Sequence, residues 1–316
     1  MRLPSILQKL FMPCFHPLTA YRLAGQKTKD GSRNAITFDP SKAIPFSEFK
    51  IPCGQCIGCR LSKSREWAAR CVVEAKSHKN NMFLTLTYDD AHLPADGSLH
   101  YEHFQLFMKR MRKYFMSRFG QQLRFFMCGE YGDKLGRPHY HAIIFGVTFV
   151  DKKLWSIRRG NNLYRSSTLE KLWPFGFSSI GAVNFETAAY VARYVTKKIT
   201  GPLKLEYYDG KVAEFCHCSL KPGIGHDFCE KYMTDIYTND RLILSEKIMM
   251  SPPAYFDKLL ERSDIVRYEE IKRLREKRGR DFEDTGETSP QRLLVRERVQ
   301  ELKASKLRRV MEENQS

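Results

Sequence analysis

Two histidines one residue apart, in Pro138-His139-Tyr140-His141, are the first residues whose types and spacing suggest chemistry. On a strand, side chains alternate between faces with a period of two, so both imidazoles project from one side. Neutral imidazole is a metal ligand. Glu130 ends the preceding predicted strand, and a turn over Gly132 to Gly136 would fold it back beside the histidines. Two histidines and one acid hold a divalent cation and leave positions open for a phosphate oxygen and water, the pattern of a catalytic rather than a closed structural site. Such a set accepts Mn²⁺ or Mg²⁺, although intrinsic affinity ranks Zn²⁺ and Cu²⁺ higher. By itself His-x-His is common and mostly inert. A histidine-triad hydrolase would need a third histidine at the next alternate position, which is Ile143.

Tyr190-Val-Ala-Arg-Tyr194-Val-Thr-Lys197-Lys198 lies on a predicted helix. At about 100° per residue, Ala188, Val191, Ala192, Val195 and Ile199 share one face. Tyr190, Tyr194, Lys197 and Lys198 share the opposite one. The expectation is an apolar stripe packed on a sheet, with two phenols and two ammonium groups turned outward on one ridge. A phenol with its ordinary pKa of about 10 is a weak nucleophile. Adjacent lysines and a cation-bound phosphate lower the cost of the developing charge. The plain alternative is two surface tyrosines beside solvated lysines.

Cys53-Gly-Gln-Cys56-Ile-Gly-Cys59 has part of the spacing of an iron–sulfur run but lacks its next cysteine. A structural Zn²⁺ completed by Cys71, or by Cys216-His217-Cys218, is one reading. Reduced thiols in a glycine-rich turn are the other. Thr85, Thr87, Arg137 and Arg193 are candidate DNA contacts. Trp155 and basic residues including Lys109, Arg110, Arg158 and Arg159 add charge and a ring for stacking on unpaired bases.

The elements that must position these groups follow from periodicity. Met82 to Tyr88, Leu123 to Glu130, His139 to Val147 and Phe177 to Phe185 read as strands. Arg60 to Lys79, Glu102 to Arg118, Thr168 to Trp173 and Glu186 to Thr200 read as helices. The order implies an α+β fold, an antiparallel sheet backed by helices, with a charged helical C-terminal tail broken near Thr285 to Pro290. Residues 1–50 read as a basic irregular arm and 51–80 as a Cys-rich segment and helix. Residues 81–205 form the core, 206–260 an accessory region and 261–316 the tail, read as a solvated helix.

Lys and Arg number 53 against 36 acids, a net charge of +17 that favours a polyanionic partner, nucleic acid first and an anionic membrane second. No apolar run is long enough to span a bilayer. Nine cysteines without a secretory signal suit a reducing cytoplasm rather than a disulfide framework. No P-loop pattern is present, so a helicase would be supplied by the host.

Taken as a set and in order, three segments resemble the HUH endonuclease superfamily: Phe83-Leu-Thr-Leu-Thr87, His139-Tyr-His141, and Tyr190-x₃-Tyr194 with Lys197 and Lys198. Further segments resemble replication initiators of microviruses, the gokushoviruses in particular. These are Pro52 to Arg60, Leu86-Thr-Tyr-Asp-Asp90, Cys128-Gly-Glu-Tyr-Gly132, Gly136-Arg-Pro-His-Tyr-His-Ala142 and Ala189 to Val195. The likeness covers about residues 50 to 260. It implies an RRM/ferredoxin-like nuclease core and a rolling-circle initiator that nicks single-stranded DNA at an origin. It also implies a 5′-phosphotyrosine link and a later rejoining step, with host DNA polymerase and helicase as partners in the bacterial cytoplasm. A non-catalytic, zinc-stabilised nucleic-acid-binding regulator is the competing expectation.

Overall fold

A computed structural model describes residues 14–27, 34–132, 135–158, 160–197, 206 and 208–305, of which 194–197 are described in backbone only. The chain divides into two compact units, residues 1–62 with 276–308, and residues 63–275 with the chain end.

The larger unit is built on a seven-stranded sheet. In sequence its strands are β4 (Asn81–Thr87), β5 (Arg124–Tyr131), β6 (Pro138–Phe145), β7 (Lys153–Arg158), β8 (Asn161–Arg165), β9 (Ser178–Gly181) and β10 (Phe215–Cys218). In space the order is β10-β5-β6-β4-β9-β8-β7, and every pairing is antiparallel. The α+β reading with an antiparallel sheet backed by helices therefore holds. The middle strand β6 is buried at all eight positions, as befits a strand covered on both faces.

Period-two alternation assigns β4 and β6 side chains to two cores. On one face Met82, Leu84, Leu86, Tyr140, Ala142 and Ile144 meet helix α2 (Tyr101–Phe119). That helix buries Phe104, Phe107, Met108, Met111 and Phe115, the stripe its spacing predicts, and ends on left-handed Gly120. On the other face Phe83, Phe126, Cys128, Ile143 and Phe145 meet two helices. One is α1 (Ile57–Lys76), through Ala68 and Cys71; the other is α4 (Phe185–Lys197), through Ala188, Val191 and Ala192. The short α3 (Ser167–Leu172) follows β8 and places Trp173 in the first core, where its indole N–H donates to the Thr87 carbonyl at 3.0 Å. Beyond β10, helices α5 (His226–Lys231), α6 (Met233–Thr238) and α7 (Ala254–Ser263) surround a third apolar cluster, with hairpin β11–β12 (Leu242–Ser245, Ile248–Met250).

In the smaller unit, residues expected as an irregular arm instead form a three-stranded sheet. Its strands are β1 (Leu18–Lys27), β2 (Asn34–Thr37) and β3 (Phe49–Ile51), in the order β2-β1-β3. These strands are mostly half-exposed, and β1–β2 changes register between Arg22 and Lys27. Backbone pairing rather than an alternating apolar face holds them, so side-chain periodicity carries little of the signal. The charged C-terminal stretch is helical, as expected, in α8 (Ile265–Glu283) and α9 (Pro290–Ser305). It is not a free tail: Leu293 of α9 is buried in a cluster with Phe15 and Cys56.

Candidate active site

The site grows from the register of three strands. β5 and β6 pair so that Glu130 lies opposite His139 and Cys128 opposite His141. On the other flank β4 sets Thr85 opposite His141 and Thr87 opposite His139. All of these side chains share the face that carries α4. Tyr140, between the histidines, projects into the opposite core, where its hydroxyl donates to the His100 carbonyl at 2.7 Å and meets Tyr88 at 3.0 Å.

Glu130 Oε1 lies 3.0 Å from His139 Nε2 and 2.8 Å from His141 Nε2. All three residues are buried. Each imidazole is oriented through its other nitrogen: His139 Nδ1 is 3.1 Å from the Arg137 carbonyl, and His141 Nδ1 is 3.0 Å from Thr85 Oγ1. With Nδ1–H donating outward, both Nε2 lone pairs face Glu130, which is how a second layer of hydrogen bonds fixes a ligand tautomer. Burial raises the Glu130 carboxyl, but hydrogen bonding and charge from His139, then His141, outweigh it and hold the group well below the carboxylate range. One oxygen and two nitrogens within 4.8 Å of one another form a set a divalent cation fits.

α4 brings Tyr190 to this cluster. Its hydroxyl donates to Glu130 Oε1 at 3.2 Å and lies 3.4 Å from His141 Nε2. Its ring meets the His141 ring edge-on at 5.0 Å. The outward ridge expected for Tyr190 is therefore incorrect. Tyr190 is only 4% exposed and packs with Ala188, Val191 and Ala192 in one cluster. Thr187 is buried too, so more than half of the helix circumference is covered. The phenol closes the edge of that buried arc over the histidines. Tyr194 and Lys197 belong to the same helix in backbone, but their side chains, and Lys198 entirely, lie outside the described residues. The Arg193 guanidinium sits over the Tyr190 ring at 5.7 Å.

A cleft of about 660 Å³ opens in front of the histidines, lined among others by Thr85, Thr87, Arg137, Trp155, Arg158 and Arg165. Arg137 also bonds to Asp90 at 2.6 Å and to the Tyr88 carbonyl. Thr87 Oγ1 donates to the Phe177 carbonyl at 3.4 Å. Gly176, at φ +150°, passes within 2.3 Å, measured from a would-be Cβ, of the Asp89 nitrogen, so only glycine lets this segment close the cleft wall. Trp155 is 51% exposed on β7, with Arg158 and Arg165 over its ring at 5.6 and 5.7 Å. The Lys153–Arg165 hairpin and Arg165 escaped the sequence reading; alternation there is interrupted by a register shift between Leu154 and Ser156.

The cysteines regroup. Cys53, Cys56 and Cys59 converge, but the fourth member is Cys14, not Cys71. Cys71 is fully buried in the apolar cluster with Ala68, Phe83 and Phe126. Cys216 and Cys218 lie on β10 against that same cluster, and His217 stacks on Tyr101 at 4.0 Å. Cys14 was missed because it stands 39 residues before Cys53 with no spacing rule to mark it. Although burial works against it, amide N–H bonds from Cys56 and Gln55 bring the Cys53 thiol down to about 7.

Residues 81–199, which build the site, match the family model of the replication-associated protein ORF2. Over 283 residues the chain is 34% identical to the replication-associated protein ORF2 of Spiroplasma virus 4, covering 84% of this chain and 86% of that one. It is 31% identical to the replication-associated protein ORF4 of Chlamydia phage 1, over 77% and 61%. It is 34% identical to the replication-associated protein VP4 of Bdellovibrio phage phiMH2K, over 67% of each chain. No solved structure matches. The chain belongs to the replication-associated protein family of the microviruses.

Proposed function

We propose that this protein initiates rolling-circle replication of a small phage genome by nicking single-stranded or locally melted DNA at its origin through Tyr190 and Tyr194. The observation that carries the reading is the Tyr190 hydroxyl, 3.2 Å from Glu130 and 3.4 Å from His141, at the edge of a metal-ligand set. Its kinship with viral replication-associated proteins supports the same substrate.

His139, His141 and Glu130 would hold a divalent ion, Mn²⁺ or Mg²⁺. When bound, that ion supplies Lewis-acid polarisation of the scissile phosphate. The chain's own groups do the rest. Arg137, Arg158 and Arg165 neutralise backbone phosphates along the cleft, Trp155 stacks on an unpaired base, and Arg193 stands over the nucleophile's ring. The tyrosine oxygen attacks phosphorus as its proton leaves. A Tyr–O–P bond to the 5′ phosphate forms, the P–O3′ bond breaks, and the departing oxygen takes up a proton to become a 3′ hydroxyl. Host polymerase extends that hydroxyl, and a host helicase opens the duplex in the bacterial cytoplasm. After one circuit the second tyrosine cuts the regenerated origin, and the freed 3′ hydroxyl displaces the first tyrosine to close a circle. Energy is conserved in the phosphotyrosine ester, so no nucleotide is consumed.

The test is incubation of the full-length protein with labelled origin single strand and Mn²⁺, followed by a denaturing gel. A protein-linked fragment is expected. Tyr190→Phe/Tyr194→Phe should lose it by about 10³-fold or more while DNA affinity survives. Each single variant should cut but fail to complete rejoining. Cleavage without an adduct would mean that water is the nucleophile. Binding unaffected by both substitutions, with no cleavage in the wild type, would favour the zinc-stabilised regulator.

A further inference from the structure

Away from the cleft, in the smaller unit, four sulfurs converge for which the nicking chemistry has no use. Cys14, Cys53, Cys56 and Cys59 place their Sγ atoms within 4.8 Å of one another, and Cys56 and Cys14 stand 3.9 Å apart. A disulfide holds its sulfurs at about 2.05 Å, so this is not an oxidised pair; all four cysteines are free. Four thiolates at about 2.3 Å from one ion sit at tetrahedron corners about 3.8 Å apart, close to the separation seen. A multi-iron cluster binds each thiolate to a different iron and would spread them further.

The surrounding backbone is arranged for sulfur that carries negative charge. Phe15 N–H and Cys59 N–H point to Cys56 Sγ at 3.3 and 3.5 Å. Cys56 N–H and Gln55 N–H point to Cys53 Sγ at 3.3 and 3.4 Å, and Cys53 N–H to Cys14 Sγ at 3.2 Å. An uncharged thiol is a weak acceptor and does not call for five amide donors. A thiolate clustered with three others needs both these donors and a cation.

The smaller unit also lacks another means of holding itself together. Among its described residues the buried apolar side chains are Phe15, Ala20, Cys56 and Leu293. A core this slight ordinarily needs a staple. Phe15 adjoins Cys14, Leu293 packs against Cys56, and His16 bonds to Glu297 of α9 at 2.7 Å, so the chain start, the cysteine loop and the last helix meet at the four sulfurs.

We propose that Cys14, Cys53, Cys56 and Cys59 bind one Zn²⁺ in a closed tetrahedral site that organises the smaller unit. Thiol protons pass to solvent as the Zn–S bonds form, and no redox change is involved. The site is independent of the nicking centre and stands or falls separately from it.

The test is metal analysis of full-length protein purified without chelator. About one zinc per chain is expected in the wild type, in Cys71→Ser and in His139→Ala/His141→Ala, and its loss in Cys14→Ser and Cys56→Ser. Zinc that disappears with the histidines, zinc kept by Cys14→Ser, iron in place of zinc, or an absence of metal in the wild type overturns the proposal. Should Cys14→Ser not fold, Co²⁺ exchanged into the wild type decides. Intense visible bands with thiolate charge transfer are expected, and a weak octahedral spectrum would refute the site.

Discussion

At the scale of single residues, His139, Tyr140 and His141 divide their work by alternation. The imidazoles stand on the face of α4 while the phenol of Tyr140 enters the opposite core. An aromatic residue between the histidines therefore suits a strand buried on both sides, and its hydroxyl finds partners at Tyr88 and His100. Thr85, expected as a DNA contact, lines the cleft but also meets His141 Nδ1 at 3.0 Å. Thr85→Val keeps the shape and removes the acceptor. Mn²⁺ affinity should fall about 10- to 100-fold, read by titrating the metal requirement of nicking, with DNA affinity little changed. An unchanged metal requirement would show that the hydroxyl does not orient the ring.

At the scale of elements, α4 shows where helical periodicity stops short. Its apolar face was legible, since Ala188, Val191 and Ala192 are fully buried. The inward turn of Tyr190 was not, because a helical wheel cannot say that cover extends around more than half of the circumference. The β7–β8 hairpin carries Trp155 to the cleft. Stacking on an unpaired base contributes about 1–3 kcal/mol, so Trp155→Ala should weaken single-strand binding about 5- to 150-fold in an anisotropy titration, with cleavage of bound DNA retained. Asp151 organises the chain at the start of α3, accepting from Ser166 Oγ at 2.6 Å, Ser167 Oγ at 2.9 Å and Thr168 N–H at 2.9 Å. Burial raises its carboxyl, yet these bonds prevail and lower it to about 2. A depressed carboxyl stabilises the fold fully above its unfolded value, about 3.9, and loses that contribution as pH falls toward 2. The melting-temperature gap between wild type and Asp151→Asn should hold from pH 7 to 5 and close below pH 4. A gap that widens on acidification would reverse the assignment.

At the scale of the whole molecule, a charge of +17 predicts binding governed by counterion release. If about five phosphates are neutralised, log affinity for single-stranded DNA should fall against log salt with a slope of about −3.5; a slope near zero would remove the backbone contacts argued for the cleft arginines. No helix among the described residues is long and apolar enough to cross a membrane. The metal-ligand set and its sheet were readable from the amino-acid order alone, because strand alternation and a short hairpin act over a few residues and leave little freedom in which side chains share a face. Partners across long stretches of chain were not. That Cys14 rather than Cys71 joins the other three cysteines, that residues 18–51 pair as a sheet, and that Tyr190 turns inward all depend on which surfaces meet once the chain closes on itself. Such meetings are decided by burial and backbone pairing between distant segments, and local periodicity contains no record of them.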